Sequence, residues 1–142
     1  VVIVTMVVVP SLCEELAHRG LLAGGLAPRL GRPLAIAIAA AVFALLHLEP
    51  ARMVATALLG TVAGVLAAWA RSLWPAVVLH AMNNLIVSLV ALGELPWLAR
   101  AIDRDVTATV AAAIVLVAIG IAISARAAFG TRGVRASGTV QP

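Results

Sequence analysis

Long apolar runs separated by short polar breaks set the outline of this chain. The first nine residues are apolar apart from Thr5, and apolar residues continue past Pro10 to about Leu26. A helix that crosses a bilayer needs about 20 mostly apolar residues, so the pattern predicts a first helix over residues 1–26. Pro10, which lacks an N–H, is placed to kink it or to start a new helix. Gly24, Gly25, Pro28 and Gly31 then predict a break, with Arg29 and Arg32 in a basic loop. A shorter second helix is predicted over 33–47, opened by Pro33 in a favoured first-turn position and closed by Glu49-Pro50. The third, 53–70, is uncharged and carries Gly60-x-x-x-Gly64, a spacing that lets helix backbones approach closely. Arg71-Ser72 reads as a turn between Trp69 and Trp74, and a fourth helix follows over 74–92. A polar connection from Glu94 to Asp105 leads to a fifth apolar helix over 106–125.

Composition places these helices in lipid. The 142 residues are 63% hydrophobic and 11% charged, with a mean hydropathy of +1.13. A soluble domain carries about 25% charged residues. The expected fold is therefore all-α, a polytopic membrane helix bundle of about five transmembrane helices in one domain over 1–128. The tail over 129–142, rich in Gly, Ser, Thr and Arg, is expected to be disordered and cytoplasmic. The opening lacks a basic n-region and a small-residue cleavage site and does not read as a signal peptide, so further spans are expected ahead of Val1.

The net charge of +4 comes from ten Arg against six acids, with no Lys. A basic chain of this kind suggests nucleic acid in a soluble protein. Here the Arg residues stand singly between apolar runs and set orientation instead, and no nucleic-acid partner is expected. Alternating spans put Arg29, Arg32, Arg71, Arg126, Arg132 and Arg135 on one side with no acid beside them. Arg52, Arg100 and Arg104 share the other side with Glu49, Glu94, Asp103 and Asp105. The positive-inside rule makes the first side, and the C-terminus, cytoplasmic. The lone Cys13 reads as a small buried packing residue.

Against this background the stretch Pro10–Gly20 stands out, because ionisable groups at membrane depth are costly and mark functional sites. Glu15 and Arg19 are spaced i, i+4, as are Glu14 and His18, so each pair shares a helix face. One carboxylate can be held by Arg19 while the other, about 100° away round the helix, faces a cavity and serves as a general base or acid. His47 ends the second helix one turn beyond Phe43, and His80 and Asn84 are again i, i+4 inside the fourth. If the three faces meet, they gather groups able to activate water and to stabilise an oxyanion. Imidazole and carboxylate are also zinc ligands, although the His-Glu-x-x-His spacing of soluble zinc proteases is absent. Ser11, Cys13 and Ser72 have no base nearby in sequence, which disfavours a covalent nucleophile. A non-catalytic membrane scaffold or immunity protein, and a metal or proton transporter, are the alternative readings of the same residues.

Glu14-Glu15-x-x-x-Arg19, Phe43-x-x-x-His47 and His80-x-x-x-Asn84, in this order on successive apolar helices, resemble the CPBP family of CAAX-processing and bacteriocin-processing (Abi) intramembrane endopeptidases. The resemblance implies that Glu14 activates water with help from His47. It implies that His80 and Asn84 stabilise the oxyanion, and that Glu15 and Arg19 form a supporting pair. In a metalloenzyme version His47, His80 and Glu14 would hold Zn2+. The implied substrate is a peptide or protein, prenylated or carrying a leader, cut near the cytoplasmic leaflet by a protein embedded in membrane lipid. His18 departs from the family pattern, which often has an aromatic or apolar residue before the motif arginine. Upright helices would leave His47 and His80 at different depths, so a tilt or break is expected.

Overall fold

The computed structural model describes residue 1 and residues 3–105. The fifth predicted helix over 106–125 and the predicted tail lie outside these residues. Within them the chain is helical, with no strand.

The first element is one continuous helical rod whose winding changes along its length. A π-helical turn over Val4–Val8 leads into α1 (Val9–Glu15), a second π-helical stretch over Leu16–Ala23, and α2 (Gly24–Leu30). The junction residues Val9, Leu16 and Gly24 all keep right-handed helical dihedrals, so the axis is not interrupted. The first π stretch lies just N-terminal to Pro10 and contains Met6, four residues before it. A proline leaves the carbonyl four residues earlier without its donor, and wider winding absorbs the mismatch. The break expected at Gly24-Gly25 is thus absent. The chain turns instead at Gly31, where φ is 78°, a conformation an L side chain resists.

Helix α3 (Arg32–Leu45) starts on Pro33 and buries Ala35, Ala39, Ala40, Phe43 and Ala44. Helix α4 (Pro50–Ala70) begins after the extended Glu49 and ends on Arg71 in the left-handed conformation, and α5 (Trp74–Ala91) follows. Small side chains let α3 and α4 approach closely. A Cβ on Gly60 would lie 3.2 Å from Ala40 Cα, and one on Gly64 would lie 2.7 Å from Ile36 Cγ2. The rod packs on α5 through α1 and the first π stretch, and on α3 through the second π stretch and α2. Glu14–Arg19 therefore occupy the part of the rod where its packing passes from one neighbour to the other.

Two helices are long and apolar enough to cross a membrane, Arg52–Ala70 and Trp74–Ala91, with mean hydropathies of 1.9 and 1.5. The apolar α3 is shorter, so among the described residues two full spans stand where the sequence suggests four. Val54, Leu58, Val78 and Met82 point outward, as residues facing lipid do. Cys13, expected to be buried, is exposed beside Leu12 on the outer face of α1.

A separate compact unit begins at Leu95. Its described part is α6 (Pro96–Arg104), a helix inside what the sequence presents as a polar connection. Pro96 opens it and Arg104 lies in its last turn, two ordinary helix-end preferences.

Candidate active site

Phe43 is the hub of the polar cluster. It is 1% exposed and is the largest fully buried side chain among the described residues. Three imidazoles meet its ring edge to face: His18 at 5.0 Å, His47 at 4.9 Å and His80 at 5.4 Å between centroids. The Arg19 guanidinium lies 4.9 Å from the same centroid, a cation–π contact. The expected difference in depth between His47 and His80 is thereby removed. Helix α3, at 1.5 Å per residue, is only about 20 Å long and ends well short of a bilayer's thickness. His47 lies in the turn just after it.

Glu15 organises the buried charge. Its Oε1 accepts Arg19 Nη1–H at 2.8 Å and His80 Nδ1–H at 2.9 Å. Arg19 also donates Nη2–H to the Gly60 carbonyl at 2.8 Å, which ties the rod to α4. Gly60 has to be glycine for this, since a Cβ there would meet Arg19 Nη2 at 3.2 Å. Glu15 Oε2 is buried and is the one such side-chain oxygen or nitrogen without a hydrogen-bond partner among the described residues.

Glu14 lies at the open side of the cluster, with its side chain 37% exposed. Its Oε2 is 3.7 Å from His80 Nε2. That is too long for a direct hydrogen bond and short enough for one water to touch both atoms. Because Glu15 accepts from Nδ1–H, Nε2 is the ring nitrogen of His80 that faces this gap.

The remaining residues are held less firmly. His47 is exposed and its Nδ1–H donates to the Phe43 carbonyl at 2.9 Å. Asn84 Nδ2 reaches Ser11 Oγ at 3.4 Å, and Asn83 reaches Asn84 Oδ1 at 3.4 Å. His18 donates Nδ1–H to the main-chain carbonyl of Glu14 at 2.8 Å and not to its carboxylate. Its ring sits on Phe43 as an aromatic residue would, which accounts for histidine being accommodated before Arg19. Local spacing in the sequence points to the Glu15–Arg19 pair. It gives no hint of the Gly60 carbonyl or of Ser11, whose partners are 41 and 73 residues away.

A structural or catalytic zinc ion takes three or four protein ligands. Among the described residues no three His, Cys, Asp or Glu side chains are grouped so as to hold a metal ion. His80 Nδ1 is committed to Glu15, and His47, exposed beside Phe43, has its Nδ1 on the Phe43 carbonyl. Glu14, His47 and His80 as placed do not fit a zinc centre.

Buried charge and imidazole held among apolar helices are the marks of a membrane protein with a working site in its helical core. The chain belongs to the Rce1-like family, described as type II CAAX prenyl endopeptidase Rce1-like, whose pattern matches residues 1–86. The match takes in every residue of the cluster from Glu14 to Asn84. It identifies the chain as a member of a membrane protease family that acts on peptide or protein substrates. Comparison with curated proteins gives no match, and comparison with solved structures gives none either.

Proposed function

We propose that this protein is an intramembrane endopeptidase that hydrolyses a peptide bond in a prenylated, CAAX-type substrate near the cytoplasmic leaflet. The observation that carries the mechanism is the 3.7 Å gap between Glu14 Oε2 and His80 Nε2, with His80 anchored from behind by Glu15. A water in that gap donates one hydrogen to the Glu14 carboxylate and the other to His80 Nε2. As its oxygen attacks the scissile carbonyl carbon, Glu14 takes the proton. Asn84, one turn beyond His80, donates to the oxyanion, since its long 3.4 Å contact with Ser11 is readily exchanged. Glu14 then returns the proton to the leaving nitrogen as the C–N bond breaks. His47, itself exposed beside the Phe43 ring, assists Glu14 once substrate closes the site. Glu15 and Arg19 hold His80 in place and take no part in the proton transfers.

In this reading the chain crosses the membrane several times and its C-terminus is cytoplasmic. The arginine distribution supports that orientation. The family description favours a prenylated substrate over a leader peptide.

The test is cleavage of a farnesylated C-a-a-X peptide by membranes carrying the chain. Glu14→Gln and His80→Ala are each expected to lose about 10²-fold or more in rate, the usual scale for a lost general base, while inserting normally. Full activity of Glu14→Gln contradicts the mechanism.

A further inference from the structure

Beside the buried pair lies a cavity of about 510 Å³ that the mechanism above leaves unused. The volume is ordinary for a small-ligand site. Three arginines are among its lining residues: Arg19, which is buried, and Arg32 and Arg71, which are exposed. Ser72 adds a hydroxyl, no acid is in the wall, and the other lining residues are alanine, glycine, isoleucine and leucine. The charge of Arg19 is met by Glu15. Among the described residues the other carboxylate–arginine pair is Glu49 with Arg52, so Arg32 and Arg71 are without an acidic partner. The cavity therefore has apolar walls and two uncompensated positive charges, and it suits an anion carried on a short, mostly apolar chain.

The cavity is joined to the reacting centre through named contacts. Arg19 forms part of its wall and bonds Glu15, Glu15 bonds His80, and His80 faces Glu14. A C-a-a-X sequence stands at the C-terminus of its protein, so its scissile bond lies within a few residues of a free α-carboxylate. Three extended residues reach about 10 Å, and an arginine fork matches a carboxylate in shape and charge. We infer that this cavity binds the C-terminal α-carboxylate of the substrate, with Arg32 and Arg71 as its counter-charges. Placing that group fixes how far from the chain end the scissile bond falls. The inference rests on the peptidase reading above.

Binding of two farnesylated C-a-a-X tetrapeptides, one a free acid and one its carboxamide twin, tests it. The protein is the full chain carrying Glu14→Gln, in nanodiscs, so that binding is read without turnover; failure of the peptidase reading would appear separately, as absent cleavage by the unsubstituted chain. The acid is expected to bind about tenfold tighter than the amide, the scale of one charge-assisted hydrogen bond. Adding Arg32→Gln and Arg71→Gln is expected to bring the ratio to about one, and Arg32→Lys with Arg71→Lys to retain most of it, because the charge is kept. Equal binding of acid and amide, or a preference that survives the double Gln substitution, overturns the inference. An absent peptide preference, together with phosphatidylglycerol retained by the Arg form and lost from the double Gln form, overturns it in favour of a lipid headgroup.

Discussion

At the scale of single residues, Arg19 shows why a buried charge has to be fully engaged. Its guanidinium reaches a carboxylate, a backbone carbonyl and an aromatic face at once. Lysine has neither the planar fork nor the paired donors to do this. Arg19→Met is expected to lower stability by about 3 kcal/mol, because removing one partner of a buried pair leaves Glu15 without its counter-charge and the Gly60 carbonyl without its donor. Thermal unfolding in detergent measures the loss, and an unchanged midpoint would contradict it. The Glu15–Arg19 pair was readable in advance, since i, i+4 spacing on a helix brings side chains together. That His80 shares the same Glu15 oxygen was not, because the two are 65 positions apart and only packing unites them. Phe43 was visible as part of a motif, but its place at the centre of three imidazoles is likewise a product of packing.

At the scale of elements, the contact between α3 and α4 sets the distance on which the cluster depends. A methyl group at Gly64 would stand 2.7 Å from Ile36 Cγ2, closer than side chains tolerate. Gly64→Ala is expected to cost about 1–3 kcal/mol, the range for overpacking. Truncating the neighbour as well, with Ile36→Ala, which removes Cγ2, should recover part of it, and unfolding of the single and paired variants decides. The apolar runs and prolines announced α3, α4 and α5, with α5 within a residue of its bounds, but Pro50, read as closing α3, instead opens α4 and brings Arg52 into it. The π winding of the first rod was not announced, since hydrophobic pattern reports which face is apolar and not which carbonyl each N–H chooses. The same limit explains Gly24-Gly25. Two glycines permit a break, yet helical packing against α3 keeps the chain wound until Gly31.

At the scale of the molecule, membrane character was written in composition, and the number of spans was not. The described helices include two of full spanning length, a shorter α3, and a first rod broken into windings that carry Glu14, Glu15 and Arg19. His47 meets Phe43 because it stands one helical turn further on, and tertiary packing adds His18 and His80 to the same ring. Because the proposed water activation runs through Glu14 and a His80 held by Glu15, hydrolysis is expected to persist in purified, chelator-treated protein. Activity lost to chelator and restored by zinc would contradict that expectation.

The central claim is that Glu14 and His80 act on one water. A double-mutant cycle in cleavage rate tests it most directly, using Glu14→Gln, His80→Ala and the pair. Residues that act as a unit are strongly non-additive, so the double variant is expected to be about as slow as the slower single one. Losses that multiply in the double variant would mean two independent roles, and would contradict the account.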